Sequence, residues 1–382
     1  MVLVAAGTGL IAATYGLIRL AYGLFLPDVR ADLSLGLDVA GAISGGASVV
    51  YCVGALAGFL VAARHPRLLV VVAIVSAGLG AAGMAAAPST TLFGIAAVAS
   101  SAGAGIASPA LVALLGRNLS DRSLPRFQAV VNAGTGPGLA IAGVLALVLL
   151  PDWRAAWWVA AAVTVLVGVV VILADRAPTA GRATSGSGAT SGLPPRSWYR
   201  AHARVIAAAL LMGFGSAAVW TYTRTVLIDA GAGETVSVVA WVALGVGGAV
   251  VIVSSRWTDG VPPSRMWAVT AALIALASVA IGLASARPEF VLIACVVFGW
   301  AYTAGSGALI GWTAGIDPAR APTGTALLFV VLILGQAGGA VVAGILVVAG
   351  GYPLAFLAAG AASAGAAVLA VVRSRPGRPA RA

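Results

Sequence analysis

The chain contains no lysine; all 22 of its basic residues are arginine. Without a lysine amine, no retinal-type Schiff base can form. Charge of either sign is scarce, at 9% of residues, where a soluble domain carries about 25%. That excludes an ordinary soluble globular protein. Cysteine is nearly missing too. Cys52 and Cys295 both fall inside apolar runs, where they read as small buried hydrophobes and exclude a disulfide framework. The two histidines, His65 and His202, fall at positions expected to be cytoplasmic. No Asp, Glu or His stands in the middle of an apolar run. The sequence shows no metal-ligand spacing, no Walker loop and no hydrolytic constellation. Neither cofactor nor metal is expected, and an intramembrane enzyme is disfavoured.

What remains is hydrophobic. Of 382 residues, 61% are apolar, and the mean hydropathy is +1.05. Continuous apolar runs of about twenty residues have the length a membrane-spanning helix needs. They lack the period-2 alternation of an outer-membrane barrel, and a helix satisfies its own backbone polar groups in lipid. Twelve runs are predicted, at 3–27, 39–62, 68–87, 91–115, 125–149, 154–174, 204–228, 235–254, 265–285, 289–313, 322–349 and 353–372. The first lacks the basic leader of a signal peptide and reads as a retained helix. One long polar stretch, rich in Ser, Gly, Pro and Arg, separates the sixth run from the seventh, and its composition suits a flexible linker. The expected organisation is an all-α membrane protein: a six-helix bundle at 1–174, a linker at 175–203, a second six-helix bundle at 204–372 and a tail at 373–382.

The net charge of +11 could suggest nucleic acid, but the arginines cluster in short loops between apolar runs, which fits membrane orientation better. With both termini inside, seventeen arginines fall in inner loops and the tail, and only Arg30, Arg154 and Arg287 in outer loops. The positive-inside bias therefore predicts cytoplasmic termini in the cytoplasmic membrane. The halves also resemble each other at an offset of about 201 residues. AGAG at 102–105 matches AGSG at 304–307, GTGPG at 134–138 matches GQAGG at 335–339, Gly143 matches Gly344, and Asp28 matches Asp229. The shared offset points to an internal duplication.

Against this apolar background, Arg19 is conspicuous. A charge at the centre of a membrane helix costs about 2.5–3.5 kcal/mol on insertion scales and persists where it faces protein or water. Tyr15, Arg19 and Tyr22 share a helical face. The functional reading is substrate binding or gating; the structural alternative is that Arg19 pairs within the protein and the tyrosines pack. In the second half Arg224 is the counterpart, with Trp220 and Tyr222 beside it and a position expected to reach water at the outer end. Two arginines could bind an anionic group, since the guanidinium fork suits carboxylate or phosphate. Trp220, Tyr222, Trp300 and Tyr302 could pack the solute's apolar part, or serve as filling and interfacial anchors. Asn132, on a face with Gln128 and Thr135, and Gln336 are candidate cavity amides, or glue between helices. Asp28 and Asp229, at the outer ends of helices one and seven, are the candidates for proton coupling or gating. Arg19 has no evident partner, so its counter-ion is either the substrate or Asp28.

Twelve helices in a six-plus-six duplication with a cytoplasmic linker resemble the major facilitator superfamily. The opening G-x-x-R-L-A-Y-x-x-x-L-P (Gly16, Arg19, Leu20, Ala21, Tyr22, Leu26, Pro27), followed by Tyr51 to Leu56, resembles a bacterial branch of it. The resemblance implies a monomeric secondary transporter in a lipid bilayer, moving a small-molecule substrate by alternating access, with protons as one possible coupling ion and no nucleic-acid partner. The superfamily's loop between helices two and three carries an acid where this chain has Ala62, beside Arg64, His65 and Arg67; the equivalent second-half loop keeps Asp259. The fourth-helix arginine of many proton-coupled exporters is absent near Ala97. GTGPG partly matches an antiporter pattern, with a kinked, close-packed helix as the alternative. The leading expectation is transport of a small organic solute, an anion being one option. The rivals are an exporter of drug-like or hydrophobic compounds and a non-transporting receptor or assembly protein.

Overall fold

The computed structural model describes residues 1–120, 123–176, 194–258 and 260–371. Most of the expected linker, the tail and Asp259 lie outside the described residues. Among the described residues all regular structure is helical. The first span is built from α1 (Val2–Ile11), a π-helical segment (Ala12–Leu20) and α2 (Tyr22–Leu33). Then follow α3 (Leu37–Val61), α4 (Pro66–Ala86), α5 (Thr90–Asn118), α6 (Leu124–Asn132), α7 (Thr135–Leu149) and α8 (Trp153–Ala174). The second half comprises α9 (Arg196–Asp229), α10 (Glu234–Thr258), α11 (Pro263–Leu283), α12 (Pro288–Ile316) and α13 (Ala321–Val371). Eleven described segments are long and apolar enough to cross a membrane. The last of them breaks at Gly350–Gly351, where Gly351 has φ +78°, a conformation that favours glycine. That break separates the two spans expected at 322–349 and 353–372.

Small residues let these helices touch backbone to backbone, as membrane packing demands. The run expected at 125–149 is split between α6 and α7 at a turn through Ala133 and Gly134. The GTGPG stretch is where this span crosses the first. A methyl added at Gly134 would come within 2.3 Å of the Thr8 carbonyl, and one at Gly138 within 2.2 Å of Ala12's. The second half repeats the contact. Gly335 lies against Leu210 and Gly339 against Phe214 in the same way, at 2.1 and 2.2 Å. The duplication in sequence is therefore a duplication of helix crossings. The halves themselves meet through Gly23, whose added methyl would sit 2.1 Å from the Trp220 carbonyl, and through Gly41 against Ala340.

A direct check is Gly213→Ala, whose methyl would sit 1.9 Å from the Leu332 carbonyl, an atom that cannot swing aside. Overpacking of this kind costs about 1–3 kcal/mol, so the melting temperature in detergent should fall by several degrees. Gly136, with open space around it, should accept alanine within about 0.5 kcal/mol. Equal melting of the two variants would contradict the close crossing.

Candidate functional site

Arg19 lies in the π-helical segment of the first span. Wide turns of this kind inside α-helices are frequent at functional positions. Its guanidinium sits over two tyrosine rings, 5.1 Å from Tyr15 and 4.6 Å from Tyr51. Those rings meet edge to face at 5.6 Å. Contacts of this type are worth about 0.5–2 kcal/mol each, depending on desolvation. One terminal nitrogen donates to Ser48 Oγ at 3.2 Å, and Nε is buried without a partner. Rings and a hydroxyl orient the fork; neither neutralises it.

The guanidinium borders a small cavity of about 40 Å³ between the halves, room for a water or two. The first half lines it with Arg19, Tyr22, Ser44 and Ser48; the second half contributes Trp220, Thr221 and Gln336. Ser44 and Thr221 bridge the halves by a hydroxyl–hydroxyl contact of 3.0 Å. Gln336 donates to Tyr302 Oη at 2.9 Å and Ser216 Oγ at 3.3 Å. Trp220 meets Trp241, Phe298 and Tyr302 edge-on, and its indole nitrogen is buried without a partner. Tyr22 donates to the Ala40 carbonyl at 3.0 Å and stacks on Phe93. No carboxylate is among the residues lining this cavity.

Arg224 is placed elsewhere. It is 1% exposed rather than open to water as its sequence position suggests. Its guanidinium pairs with Asp28 of the first half, donates to the Leu24 carbonyl at 2.7 Å, and donates to Ser237 Oγ at 3.1 Å. Asp28 is therefore the counter-ion of Arg224 and not of Arg19. A second ion pair crosses the halves in the reciprocal sense, Arg30 to Asp229 at 3.4 Å, and Tyr352 donates to the same carboxylate at 2.6 Å. Tyr222 is fully buried and donates to the Leu37 carbonyl at 2.6 Å, a strut between halves with no free hydroxyl for a solute. These contacts close the Asp28 end. Among the described residues, the hydrogen bonds between the halves run from this end only as far as the weak thiol contact of Cys52 with the Val330 carbonyl, 3.7 Å.

Two further candidates also fall outside the cavity lining. Trp300 donates to Ser254 Oγ at 2.8 Å, tying α12 to α10. Asn132 ends α6 and accepts from Ser108 at 3.3 Å on an exposed face. His202, expected near the cytoplasm, is fully buried, with its ring nitrogens 3.0 Å from the Trp198 carbonyl and 3.1 Å from Thr313 Oγ1.

Asp175 escaped the sequence reading, which took it as the start of the linker. Its side chain is fully buried and gathers Arg67 at 2.5 Å, Arg117, and Asn118 at 2.7 Å. It thus ties the start of α4 and the end of α5 to the end of α8, beside the loop where Ala62 replaces an acid. The available signal was an acid directly after an apolar run, at the end where the arginines concentrate.

The profile of the Major Facilitator Superfamily matches residues 8–316, and the chain belongs to that family. No match was found among curated protein sequences. Among solved structures, the chain is similar to a bacterial homolog of the human lysosomal transporter Spinster in an inward-facing, unoccupied conformation (13% identity, 97% of this chain and 94% of that one, TM-score 0.68). It is also similar to the nucleoside transporter NupG (12%, 96% and 98%, TM-score 0.77) and to a peptide transporter POT (11%, 97% and 93%, TM-score 0.79). At such identities the likeness is one of fold.

Removing one partner of a buried ion pair costs about 3–5 kcal/mol. Asp28→Asn should therefore shift the protein away from the state closed at the Asp28 end, read as a longer spin-label distance across that end. Asp28→Asn combined with Arg224→Gln should recover most of the closed population. An unchanged distance in the single variant would show that the pair does not hold the end shut.

Proposed function

We propose that the chain is a secondary transporter that carries a small organic solute across the cytoplasmic membrane through the cavity between its halves, with Arg19 contacting an anionic group of that solute. The observation that supports this reading is Arg19 itself, an arginine lining a cavity to which both halves contribute and which, among the described residues, contains no carboxylate. An arginine fork without a fixed acid suits a carboxylate or phosphate arriving from solution. The neighbours' chemistry fits the remainder of such a solute. Gln336, Ser44 and Thr221 offer hydrogen bonds, and Trp220 offers an aromatic wall.

The distribution of contacts between the halves supports alternating access. With the arginine-rich loops placed on the cytoplasmic side, the end sealed by Asp28–Arg224 and Arg30–Asp229 faces outward, and the conformation described is closed to the outside. Opening would break both pairs and slide Gly41 and Tyr222 away from their partners, while the opposite end closes around the same site. Asp28 and Asp229 then act in gating, and Arg224 with them. Asp259, the acid kept in the second-half loop and outside the described residues, is assigned a gating role as well.

The aromatic cluster of Trp220, Tyr302 and Phe298, of which Trp220 borders the cavity, favours a second reading, export of hydrophobic or drug-like compounds. Raised drug tolerance on overexpression, with no preference for anions, would favour that alternative.

Arg19→Gln should reduce solute uptake in proteoliposomes at least about tenfold, since a lost charge-assisted hydrogen bond is worth about 1.5–3 kcal/mol. Trp300→Phe should leave uptake within about twofold, because it removes only an interhelical hydrogen bond. Unchanged affinity and rate in Arg19→Gln would remove Arg19 from the binding site.

A further inference from the structure

We infer that this protein moves organic monoanions by exchange, one for another, and that the empty protein reorients slowly. The inference rests on the reading of the Arg19 cavity as the solute site. Its basis is the charge balance where the halves meet. Arg224 is matched by Asp28, and Arg30 by Asp229. Among the described residues Arg19 has no such match. It is held by the faces of Tyr15 and Tyr51 and by the Ser48 hydroxyl, and its Nε is buried and unpaired. Serine and tyrosine at this site are neutral groups, and the other polar lining groups from the second half, Thr221, Gln336 and the Trp220 indole, are neutral as well.

That imbalance matters midway through the transport cycle. Alternating access passes through a state in which both ends are shut around the site. The water that hydrates Arg19 while one end is open is then largely excluded. A charge buried without a partner is among the costliest arrangements in a protein, and tyrosine faces relieve only part of that cost. An empty cavity leaves Arg19 uncompensated at this point, and so does a neutral solute. A cation adds a second positive charge. A zwitterion brings an ammonium for which the cavity has no carboxylate, and a dianion leaves one negative charge over. A monoanion cancels the charge. The low-barrier crossing is therefore the monoanion-loaded one in both directions, which is exchange. Arg19 and the bound anion cross as a neutral pair, so the exchange step is insensitive to membrane potential.

The experiment uses the full-length protein. A thermal-shift panel of monocarboxylates (lactate, mandelate and shikimate among them), amino acids, amines and dicarboxylates is read first, with wild type and Arg19→Gln side by side. The monocarboxylate giving the largest Arg19-dependent shift is then taken, radiolabelled, into proteoliposomes at about pH 8, where carboxylates are ionised. One set of vesicles is preloaded with the same unlabelled anion and the other contains Tris sulfate. The expected initial uptake is at least about tenfold faster into preloaded vesicles, the ratio a modest difference in barrier already gives. A potassium diffusion potential should leave the preloaded rate unchanged. Arg19→Lys, which keeps the charge, should keep the preloading ratio, and Arg19→Gln should bring the ratio for its residual uptake towards one. Equal uptake into both sets, with an Arg19-dependent thermal shift intact, would overturn exchange and leave the site standing. No shift and no uptake for any monocarboxylate would overturn the anion site and the exchange with it.

Discussion

Every ionised group in an apolar bundle has to be met by an opposite charge, a polar neighbour or water, and the junction of the two halves is arranged around that constraint. Arg224 and Asp28 meet each other across the divide, as do Arg30 and Asp229. Each pair takes one member from each half and so ties the halves together at one end. Asp175 answers the same constraint within the first half, gathering Arg67, Arg117 and Asn118 where three helices end. Arg19 is the exception at the centre. Its neighbours orient it and leave its charge standing, and the functional proposal grows from that exception.

The second constraint is distance. Helices in lipid gain little from burying leucine against leucine and gain from approaching closely. Gly134 and Gly138 against the first span, and Gly335 and Gly339 against the ninth helix, give the two halves the same internal crossing. Gly23 and Gly41 use the same device between the halves. Close contact at these points brings Trp220 and Gln336 of one half within reach of a cavity bordered by Arg19 and Ser48 of the other.

Much of this was legible in the sequence because its signals are local or periodic. The apolar runs, the duplication and the cost of Arg19 needed no knowledge of what lies opposite. The partners were not legible, because they are remote along the chain. Arg224 meets Asp28 across 196 residues and Tyr222 reaches Leu37 across 185, so an arginine expected in water proved fully buried and an aromatic expected at the solute proved a strut. Tyr51 and Ser48, one span away from Arg19, were part of a motif or unmarked. Asp175 read as linker because composition reports the polar stretch that follows it and cannot report the three side chains that turn towards it.

The central claim is that the charge of Arg19 is completed by the solute. An experimental structure of the protein with a bound organic monoanion would test it most directly. The account predicts density for the anionic group within hydrogen-bond reach of the Arg19 guanidinium, about 2.7–2.9 Å, in a cavity widened beyond the about 40 Å³ of the unliganded protein so that the rest of the molecule lies between Gln336 and Trp220. Density seated elsewhere, with Arg19 still capped only by Ser48, Tyr15 and Tyr51, would contradict it.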